Sequence, residues 1–404
     1  MKIAIIGGGA AGFFAAISAK ENHREADVVL FEKSQKLLAK VRISGGGRCN
    51  VTNACTSIKQ LSEAYPRGGK ALKKAFRTFN TQDTKAWFES RGVPLYAQDD
   101  SRVFPVSDNS QSIIDCLLSE SKRLGILIQL GTQIETIEVN NDQLLLHFSK
   151  TQCESQTFDK VIIACGGSPK KSGLTWLENL GHQIETPVPS LFTFNMPSEP
   201  ITQLMGVVAE NALVWIQGSK LQSQGPLLIT HWGMSGPAIL KLSAFGARLL
   251  SDCNYQFKVQ VNWAGVPNHE EVRASIQNTI AAHPKKQLSN HRLFGLPERL
   301  WLFLLHKSDC APTKRWLDLS KKNIHKLVAV LAHDVYSVSG KTTFKEEFVT
   351  CGGVSLKSIN FDTMESKVCK NLYFAGEVMD IDGITGGYNF QAAWTTGFIA
   401  GKLG

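Results

Sequence analysis

Three glycines near the start of the chain have the spacing of a phosphate-binding turn. Gly7, Gly9 and Gly12 follow a short apolar run at GxGxxG spacing, and a helix is expected over residues 10–20. The first glycine of such a turn permits the bend, the second lets the backbone approach a pyrophosphate, and the third lets the helix pack on the strand. Helix N–H groups would then hold the phosphates.

An acidic residue follows the second strand of this strand–turn–helix–strand segment. Glu32 ends the expected strand 27–31, where a carboxylate can accept hydrogen bonds from ribose hydroxyls and would repel a 2′-phosphate. The glycines and Glu32 together predict a dinucleotide site. The pattern does not distinguish FAD from NAD, and a glycine turn that serves packing alone remains an alternative.

A second glycine-rich stretch, ISGGGRCNVTN, covers residues 43–53. Consecutive glycines lose much conformational entropy when they become ordered, and a backbone that approaches a ligand would explain them. Arg48 could pair with a pyrophosphate, and Ser44 or Asn50 could hydrogen-bond a ring or ribityl group. The alternative is a flexible surface turn.

The C-terminal part returns to the same pattern. A strand over 371–375 leads into Gly376 and Glu377, then a loop with Gly383, Gly386 and Gly387, then a small-residue helix over 389–401. The acid could bind a ribityl hydroxyl, and the positive end of the helix dipole could face the flavin ring. A nucleotide fold completed only after a long insertion favours FAD over NAD.

Composition limits the remaining possibilities. The chain has 404 residues, 43% hydrophobic and 20% charged, so two domains of ordinary globular composition are expected. No apolar run has membrane-spanning length, and Gly7–Gly9 interrupt the first one, so we interpret it as a strand of a cytoplasmic protein. Nine cysteines without a CxxC pair indicate neither a disulfide framework nor a zinc site, and we expect no metal.

A net charge of +9 is concentrated in residues 67–77 and roughly 285–326. Such charge suits an anionic substrate or a nucleic acid, but lysines also serve as solvated helix faces.

Between these motifs, short helices are expected within 69–92 and over 110–124. Strands at 126–130, 133–139 and 143–149 alternate at period two and are interpreted as one meander. A strand over 160–164 ends at Gly166 and Gly167. The predicted fold is α/β: residues 1–189 and 341–404 form a nucleotide-binding domain, and 190–340 form an insert.

The insert is expected to hold strands first (191–195, 213–217, 227–230 and 256–263) and then helices within about 266–332 (270–282, 297–306 and 321–332). Between the strands at 227–230 and 256–263, Ser235 is expected to cap a helix that begins at Gly236 and Pro237.

The motifs IAIIGGGAAG, KVRISGGGRCNVTN, THWGMSGPAIL, TCGGV, TMESK and LYFAGEVMDIDGITGGYNFQAAWTTG closely resemble the BaiN/RdsA-type NAD(P)/FAD-dependent oxidoreductases, also labelled aminoacetone-oxidase-like flavoproteins. The resemblance runs from the first strand to the last helix. It implies a Rossmann-type FAD domain formed by both chain ends, with an inserted domain of strands plus a helical part. One departure is Cys351, where a smaller residue is expected; it is either near the ring or a packed thiol.

The resemblance also implies roles for single residues. Those for the ADP half of FAD are Gly7, Gly9, Gly12 and Glu32; those near pyrophosphate and ring are Gly46, Gly47, Arg48, Cys49 and Asn50; those for the ribityl–isoalloxazine end are Gly376, Glu377, Asn389 and Phe390. The predicted cofactor set further includes Ala11, Lys33, Lys40, Ser44, Ile134, Ala164, Gly166 and Gly387.

We expect an FAD-dependent oxidoreductase that passes hydride between the flavin and an organic small molecule lodged between the FAD domain and the insert. No second GxGxxG turn exists, so NAD(P)H would dock only transiently. His231, Cys49 and Tyr388 have chemistry suited to catalysis, but their spacing does not show that they converge. The substrate and the oligomeric state stay open.

Two alternatives remain. One is a tRNA-modifying flavoprotein, suggested by the charge and by similar N-terminal glycine loops. The chain ends three residues after Gly401, without the C-terminal helical extension of that class, so we do not expect a nucleic-acid partner. The other alternative is a flavin-bound protein without catalysis.

Overall fold

The N-terminal and C-terminal segments fold into one unit, and the middle of the chain forms a second. The computed structural model describes residues 1–149, 154–343 and 349–404. Unit 1 comprises Met1–Ser190 and Lys345–Gly404, and unit 2 comprises Leu191–Phe344. The start of the predicted segment 341–404 includes residues 344–348, which lie outside the described residues.

In chain order, the helices and strands of unit 1 that precede unit 2 are β1 (Lys2–Ile6), α1 (Ala10–Asn22), β2 (Asp27–Glu32), α2 (Ala39–Ile43), β3 (Thr52–Asn53), α3 (Ile58–Glu63), α4 (Gly69–Ala75), α5 (Thr81–Glu89), β4 (Leu95–Ala97), β5 (Arg102–Pro105), α6 (Gln111–Arg123), β6 (Leu127–Leu130), β7 (Ile134–Asn140), β8 (Gln143–Phe148), β9 (Gln156–Phe158), β10 (Lys160–Ile163), α7 (Thr175–Glu178) and β11 (Ile184–Ser190). Those of unit 2 are β12 (Thr193–Asn195), β13 (Val208–Ile216), β14 (Gln222–Thr230), β15 (Gly233–Ser235), α8 (Pro237–Phe245), α9 (Ala247–Asp252), β16 (Gln256–Asn262), α10 (His269–Ala282), α11 (Glu298–Lys307), α12 (Lys321–Ala332), β17 (Asp334–Ser339) and β18 (Lys341–Thr342). Unit 1 then resumes with β19 (Val349–Val354), β20 (Leu372–Phe374) and α13 (Tyr388–Ala400).

A five-stranded parallel sheet in the order β20-β10-β1-β2-β6 carries unit 1. Its central strand β1 is apolar and buried from Ile3 to Ile6, as expected where helices cover both faces. Helices α1 and α13 approach closely, since a Cβ on Gly397 would lie 2.6 Å from the Ala11 carbonyl oxygen. The prediction of a Rossmann-type α/β domain built from both chain ends is confirmed.

The predicted meander is wrong in its first strand. β6 pairs in parallel with β2, whereas β7, β8 and β9 form a separate antiparallel sheet. β6 is the edge strand of the parallel sheet, and fewer neighbouring side chains cover it, so Leu127 and Leu130 stay 54% and 40% exposed. Its sequence therefore alternates like that of an antiparallel strand. Two further antiparallel sheets, β3-β5-β4 and β11-β19, complete unit 1.

Unit 2 has a seven-stranded sheet in the order β17-β16-β13-β14-β15-β12-β18. The helix expected to begin at Gly236 and Pro237 is present as α8, ahead of β16. The expected order of strands followed by helices is wrong at the end of the insert, where β17 and β18 follow α12. Ser235 is not the helix cap. It ends β15 and accepts a hydrogen bond from Thr193 Oγ1 (3.1 Å), while Gly236, with φ of +90°, occupies the cap position.

Each unit has its own apolar core. That of unit 1 surrounds Phe14, Phe88 and Trp394, and that of unit 2 surrounds Trp263 and Trp301. Across the described residues, no helix is both long and apolar enough to span a bilayer.

Candidate functional site

In the first glycine turn, Gly7 and Gly12 pack against neighbouring backbone, and Gly9 borders open space. A Cβ on Gly7 would lie 2.4 Å from the Ala164 carbonyl oxygen, and one on Gly12 would lie 1.8 Å from the Gly7 carbonyl oxygen, so packing requires glycine at both. A Cβ on Gly9 would meet no heavy atom within 4 Å. Gly9 is the N-cap of α1 and no side chain caps it, which leaves the N-terminus of this 13-residue helix suited to an anion.

Glu32 is held at the carboxyl end of β2. Its two carboxylate oxygens accept hydrogen bonds from the backbone N–H groups of Gly8 and Ser34, both at 2.8 Å. The N–H of Thr132 donates to the Glu32 carbonyl (2.9 Å), which brings the segment before Ile134 beside this acid, while Lys33 next to it is exposed. The chain thus reaches Ile134 two residues after its contact with Glu32, and a cofactor contact of Ile134 stays a prediction.

The second glycine stretch forms a tight turn over Ser44–Gly47. Gly45, Gly46 and Gly47 have φ of +58°, +69° and +85°, a conformation that other residues rarely adopt. A Cβ on Gly46 or Gly47 would meet nothing within 4 Å. The turn thus presents bare backbone to open space, as the ligand interpretation requires.

Ser44 and Arg48, predicted ligands in this turn, are engaged within the protein. Ser44 Oγ donates to the Val41 carbonyl (3.0 Å), and Arg48 Nε donates to the Gly45 carbonyl (3.3 Å). The Arg48 guanidinium lies 4.1 Å from the centre of the Phe104 ring and its side chain stays 34% exposed. Their cofactor contacts remain predictions.

Hydrogen bonds fasten the residues after this turn to the start of α13. With its amide oriented to satisfy both neighbours, Asn50 accepts from the Gly387 N–H (2.9 Å) and donates to the Thr52 carbonyl (3.0 Å). Asn53 Nδ2 donates to the Gly386 carbonyl (3.1 Å), and Trp394 Nε1 donates to the Val51 carbonyl (2.9 Å). The two glycine loops, far apart in sequence, are one structure.

The loop before α13 requires its glycines. Gly386 and Gly387 have φ of +126° and +88°, and a Cβ on Gly387 would lie 2.3 Å from the Thr52 carbonyl oxygen. The Asn389 amide hydrogen-bonds both the N–H and the carbonyl of Gly383 (2.8 and 3.0 Å), so it shapes the loop. No side chain caps α13 at Gly387, which gives the site a second helix N-terminus.

Glu377 connects three elements at the end of β20. One carboxylate oxygen lies 2.6 Å from Lys40 Nζ, and the other accepts a hydrogen bond from the Thr350 N–H (2.8 Å). Gly376 before it has φ of +75°, and a Cβ there would lie 2.7 Å from Ala11 Cβ. Lys40 and Glu377, both predicted, are brought together. Thr350 was missed, because β-strand position alone gives no signal for it.

The other predicted cofactor residues also belong to unit 1. The Ala164 N–H donates to the Ile6 carbonyl (2.8 Å), and Gly166 has φ of +75° with open space at its Cβ position. The Phe390 ring stacks on Trp394 at 5.6 Å. Cys351 is a buried residue of β19.

A buried ion pair that the sequence did not reveal joins the segment before α4 to the loop before α13. Arg67 Nε donates to Asp382 Oδ1 (2.6 Å), its Nη2 contacts Asp382 Oδ2, and Ser190 Oγ donates to the same oxygen (2.6 Å). Asp382 is fully buried, and the Arg67 side chain is 10% exposed. Burial raises the pKa of Asp382, and the Arg67 guanidinium opposes that rise.

The three catalytic candidates lie in different environments. Cys49 is fully buried, and burial raises the pKa of its thiol to about 12, against which the Ser44 hydroxyl acts only in part. A thiol of this kind is a poor nucleophile. His231 is exposed in the β14–β15 turn of unit 2, where its ring contacts Trp232 at 3.8 Å.

Tyr388 is the first residue of α13. Its carbonyl accepts a hydrogen bond from the Tyr65 hydroxyl (2.6 Å), and its ring lies against Gly386. Burial raises the pKa of the Tyr388 phenol, so it is protonated at neutral pH. Within the described parts of the chain, its hydroxyl has no hydrogen-bond partner.

The residues of unit 1 fit a dinucleotide. Open backbone at Gly9, Gly46 and Gly47 and two helix N-termini suit a diphosphate, and a fixed carboxylate at Glu32 suits a ribose. In residues 1–149, 154–343 and 349–404, no group of three or more His, Cys, Asp and Glu side chains could hold a metal ion.

The family model described as "HI0933-like protein Rossmann domain" matches residues 1–403. The chain is 26% identical to a 3-dehydro-bile acid delta(4,6)-reductase of Clostridium scindens, over 99% of this chain and 98% of the relative. It is 28% identical to a ribosomal RNA dihydrouridine synthase of Haemophilus influenzae, over 98% and 96%. In fold it is similar to a 3-ketosteroid-delta4-(5alpha)-dehydrogenase from Rhodococcus jostii, with a TM-score of 0.50, 11% identity, and coverage of 99% and 96%.

Proposed function

The chain belongs to the HI0933-like Rossmann family and is an FAD-dependent oxidoreductase, and we propose that it saturates a carbon–carbon double bond conjugated to a carbonyl group. Two relatives support this reaction class. A delta(4,6)-reductase of a 3-dehydro-bile acid and a dihydrouridine synthase both have names that describe saturation of such a bond. When bound, reduced FAD supplies the hydride for this chemistry.

The observation that carries the proposal is the single site made by both chain ends. The α1 turn at Gly9 and the turn at Gly46 and Gly47 present backbone to open space, and the α13 start at Gly387 has no side-chain cap. Asn50 accepts a hydrogen bond from the Gly387 N–H and Asn53 donates one to the Gly386 carbonyl, which holds the second and third of these in fixed register. Such preorganised donors are what a cofactor-dependent reductase must supply, because the cofactor carries the electron chemistry.

We assign proton donation to Tyr388. In the reduction, the carbon β to the carbonyl receives the hydride and the α-carbon receives a proton, so a protonated group must be available. The Tyr388 phenol holds its proton at neutral pH and is half-buried beside the glycine loop. Cys49 would also be protonated, but it is fully buried.

The reductant in this proposal is NAD(P)H that docks transiently. The sequence holds one GxGxxG turn followed by an acid, and the residues of that turn are assigned to the FAD. Reduction of the bound flavin by NADH or NADPH under anaerobic conditions, followed as bleaching of the flavin absorbance, tests this step.

Two substrate classes fit the reaction. The first is a steroid-like enone or dienone, a small molecule of the kind named for the bile-acid relative. The second is a uridine in RNA, as named for the dihydrouridine synthase, and the net charge of +9 favours an anionic substrate of this kind.

The test is reoxidation of reduced enzyme without oxygen. A 3-oxo-4,6-diene steroid acid and a uridine-containing RNA hairpin are each mixed with photoreduced enzyme, and the saturated steroid and a hairpin with dihydrouridine serve as matched controls. We expect one unsaturated compound to restore the flavin absorbance and its saturated control to leave it bleached. Reoxidation by neither compound, or equally by both members of a pair, would contradict the proposal.

A further inference from the structure

One part of unit 2 is strongly basic. Residues 283–326 contain ten lysines and arginines against three carboxylates, Glu298, Asp309 and Asp318. Asp309 pairs with Lys326, and Asp318 pairs with Arg315. Cations therefore remain in large excess over this stretch.

Backbone hydrogen bonds bring segments that carry several of these cations side by side. The Trp316 N–H donates to the Lys286 carbonyl (3.0 Å), and the Leu288 N–H donates to the Lys314 carbonyl (2.9 Å). Lys314 Nζ donates to Asn323 Oδ1 (2.9 Å), which adds the first turn of α12. We call this surface the basic face, and its members are Lys285, Lys286, Arg292, Lys314, Arg315, Lys321 and Lys322, all exposed except the half-buried Lys314.

The arrangement is unfavourable for folding. Ser320 caps α12, and Lys321 and Lys322 follow in a first turn that contains no acid. A cation at a helix N-terminus opposes the helix dipole and destabilises the helix. A sequence that departs from local electrostatic preference in this way points to a function for the charges.

Flat side chains accompany the cations. The rings of His283 and His291 lie 4.3 Å apart, and His291 faces Trp316 at 6.5 Å. Burial lowers the pKa of His291, and the charges of His283 and Lys286 act in the same direction, which favours the neutral imidazole. The half-buried His283 and His291 rings beside the cations, unlike the fully buried Trp316, are accessible to the bases of a polymer that also carries phosphates.

We propose that the basic face binds the phosphate backbone of an RNA substrate. The inference rests on the uridine branch of the proposed function and names the partner of that branch. Cations spread over three hydrogen-bonded segments match a chain of phosphates better than one small anion. The basic face lies entirely within unit 2.

The test compares two variants of the holoenzyme that lose the same charge. K285Q/K286Q/K321Q/K322Q alters the basic face, and K59Q/K70Q/K73Q/R77Q alters exposed cations of unit 1. Binding of a fluorescein-labelled RNA hairpin with a uridine loop is measured by anisotropy over a range of KCl concentrations. Flavin content and thermal unfolding establish that both variants are folded.

Each phosphate contact contributes about 0.7–0.9 to the slope of log K against log salt, so four lost lysines reduce the slope by roughly 3. At about 0.1 M KCl that reduction is an affinity loss of up to roughly 10³-fold. The unit 1 variant is expected to keep the wild-type slope.

Equal losses in both variants, no binding by the wild type, or equally strong binding to phosphatidylserine vesicles would overturn the proposal. Anaerobic bleaching of the bound flavin by NADH and NADPH is measured in parallel for the wild type and both variants. Absence of bleaching in all three proteins counts against the reductase proposal, whereas loss of RNA binding with bleaching intact concerns the basic face alone.

Discussion

Replacing Arg67 by Met leaves Asp382 buried without its cation. Loss of one partner of a buried ion pair costs about 3–5 kcal/mol, because the remaining charge is uncompensated. Asp382 has no exposed surface and hydrogen-bonds only Arg67 and Ser190 through its carboxylate among the described residues, so little else can stabilise the charge. At ~2 °C per kcal/mol for a unit of this size, the melting temperature falls by about 6–10 °C at pH 8.

The loss depends on pH in a defined direction. Burial raises the folded-state pKa of Asp382 above its ordinary value, and nearby Asp380 adds to the rise. For an acid with a raised folded pKa, stability falls as pH rises from the unfolded to the folded pKa. Removing Arg67 raises that folded pKa further, so the deficit of R67M relative to wild type is expected to shrink as pH falls from 8 toward 5.

The double variant R67M/D382N serves as the control. It removes both charges and is expected to recover most of the lost melting temperature, since replacing both partners is far less costly than breaking the pair. Thermal unfolding of the four proteins by circular dichroism at several pH values completes the cycle. A deficit of R67M that is independent of pH, or a double variant as unstable as R67M, would refute the reasoning.

Three further predictions concern the site itself. G12A places a Cβ 1.8 Å from the Gly7 carbonyl oxygen and is expected to lower the melting temperature of the apoprotein. G9A places its Cβ in open space, so we expect it to leave the apoprotein stable and to weaken FAD binding, measured by flavin fluorescence. Equal apoprotein stabilities of the two variants would contradict this contrast. Y388F is expected to slow reoxidation by the unsaturated substrate by about 10²–10⁴-fold while flavin reduction stays unchanged, and an unaltered reoxidation rate would remove Tyr388 as proton donor. Because burial holds the pKa of the Cys49 thiol at about 12, this residue is expected to resist iodoacetamide at neutral pH in folded protein, which peptide mass spectrometry checks; rapid alkylation would show that the thiol is accessible.

Local motifs were enough to predict the nucleotide-binding half of the fold. The turn at Gly7, Gly9 and Gly12 and the acid at Glu32 have fixed spacing because one strand, one helix and one more strand define the geometry. The pairing of the two chain ends followed from the second strand–glycine–helix pattern. Fold prediction failed where neighbours in space decide, as for β6, whose partner β2 is remote in sequence.

The site was predictable only where backbone determines it. Glycines at positions with positive φ, such as Gly387, are visible in a sequence. Arg67 begins the basic stretch 67–77, for which the sequence suggests either an anionic partner or a solvated helix face, and instead it is buried against Asp382. Thr350 and Tyr65 act through a backbone N–H and a single hydroxyl, and neither leaves a pattern in the sequence.

Closure of the parallel sheet by β20 has a consequence for biosynthesis. The ribosome delivers β1, β2 and β10 early, but β20 and α13 arrive only after the whole of unit 2 has been made. Until then the apolar edge of β10 and the surface of α1 that later contacts Gly397 have no cover. Unit 2 is continuous in sequence and can mature first, so the nascent nucleotide-binding unit depends on protection from aggregation until β20 and α13 have been made.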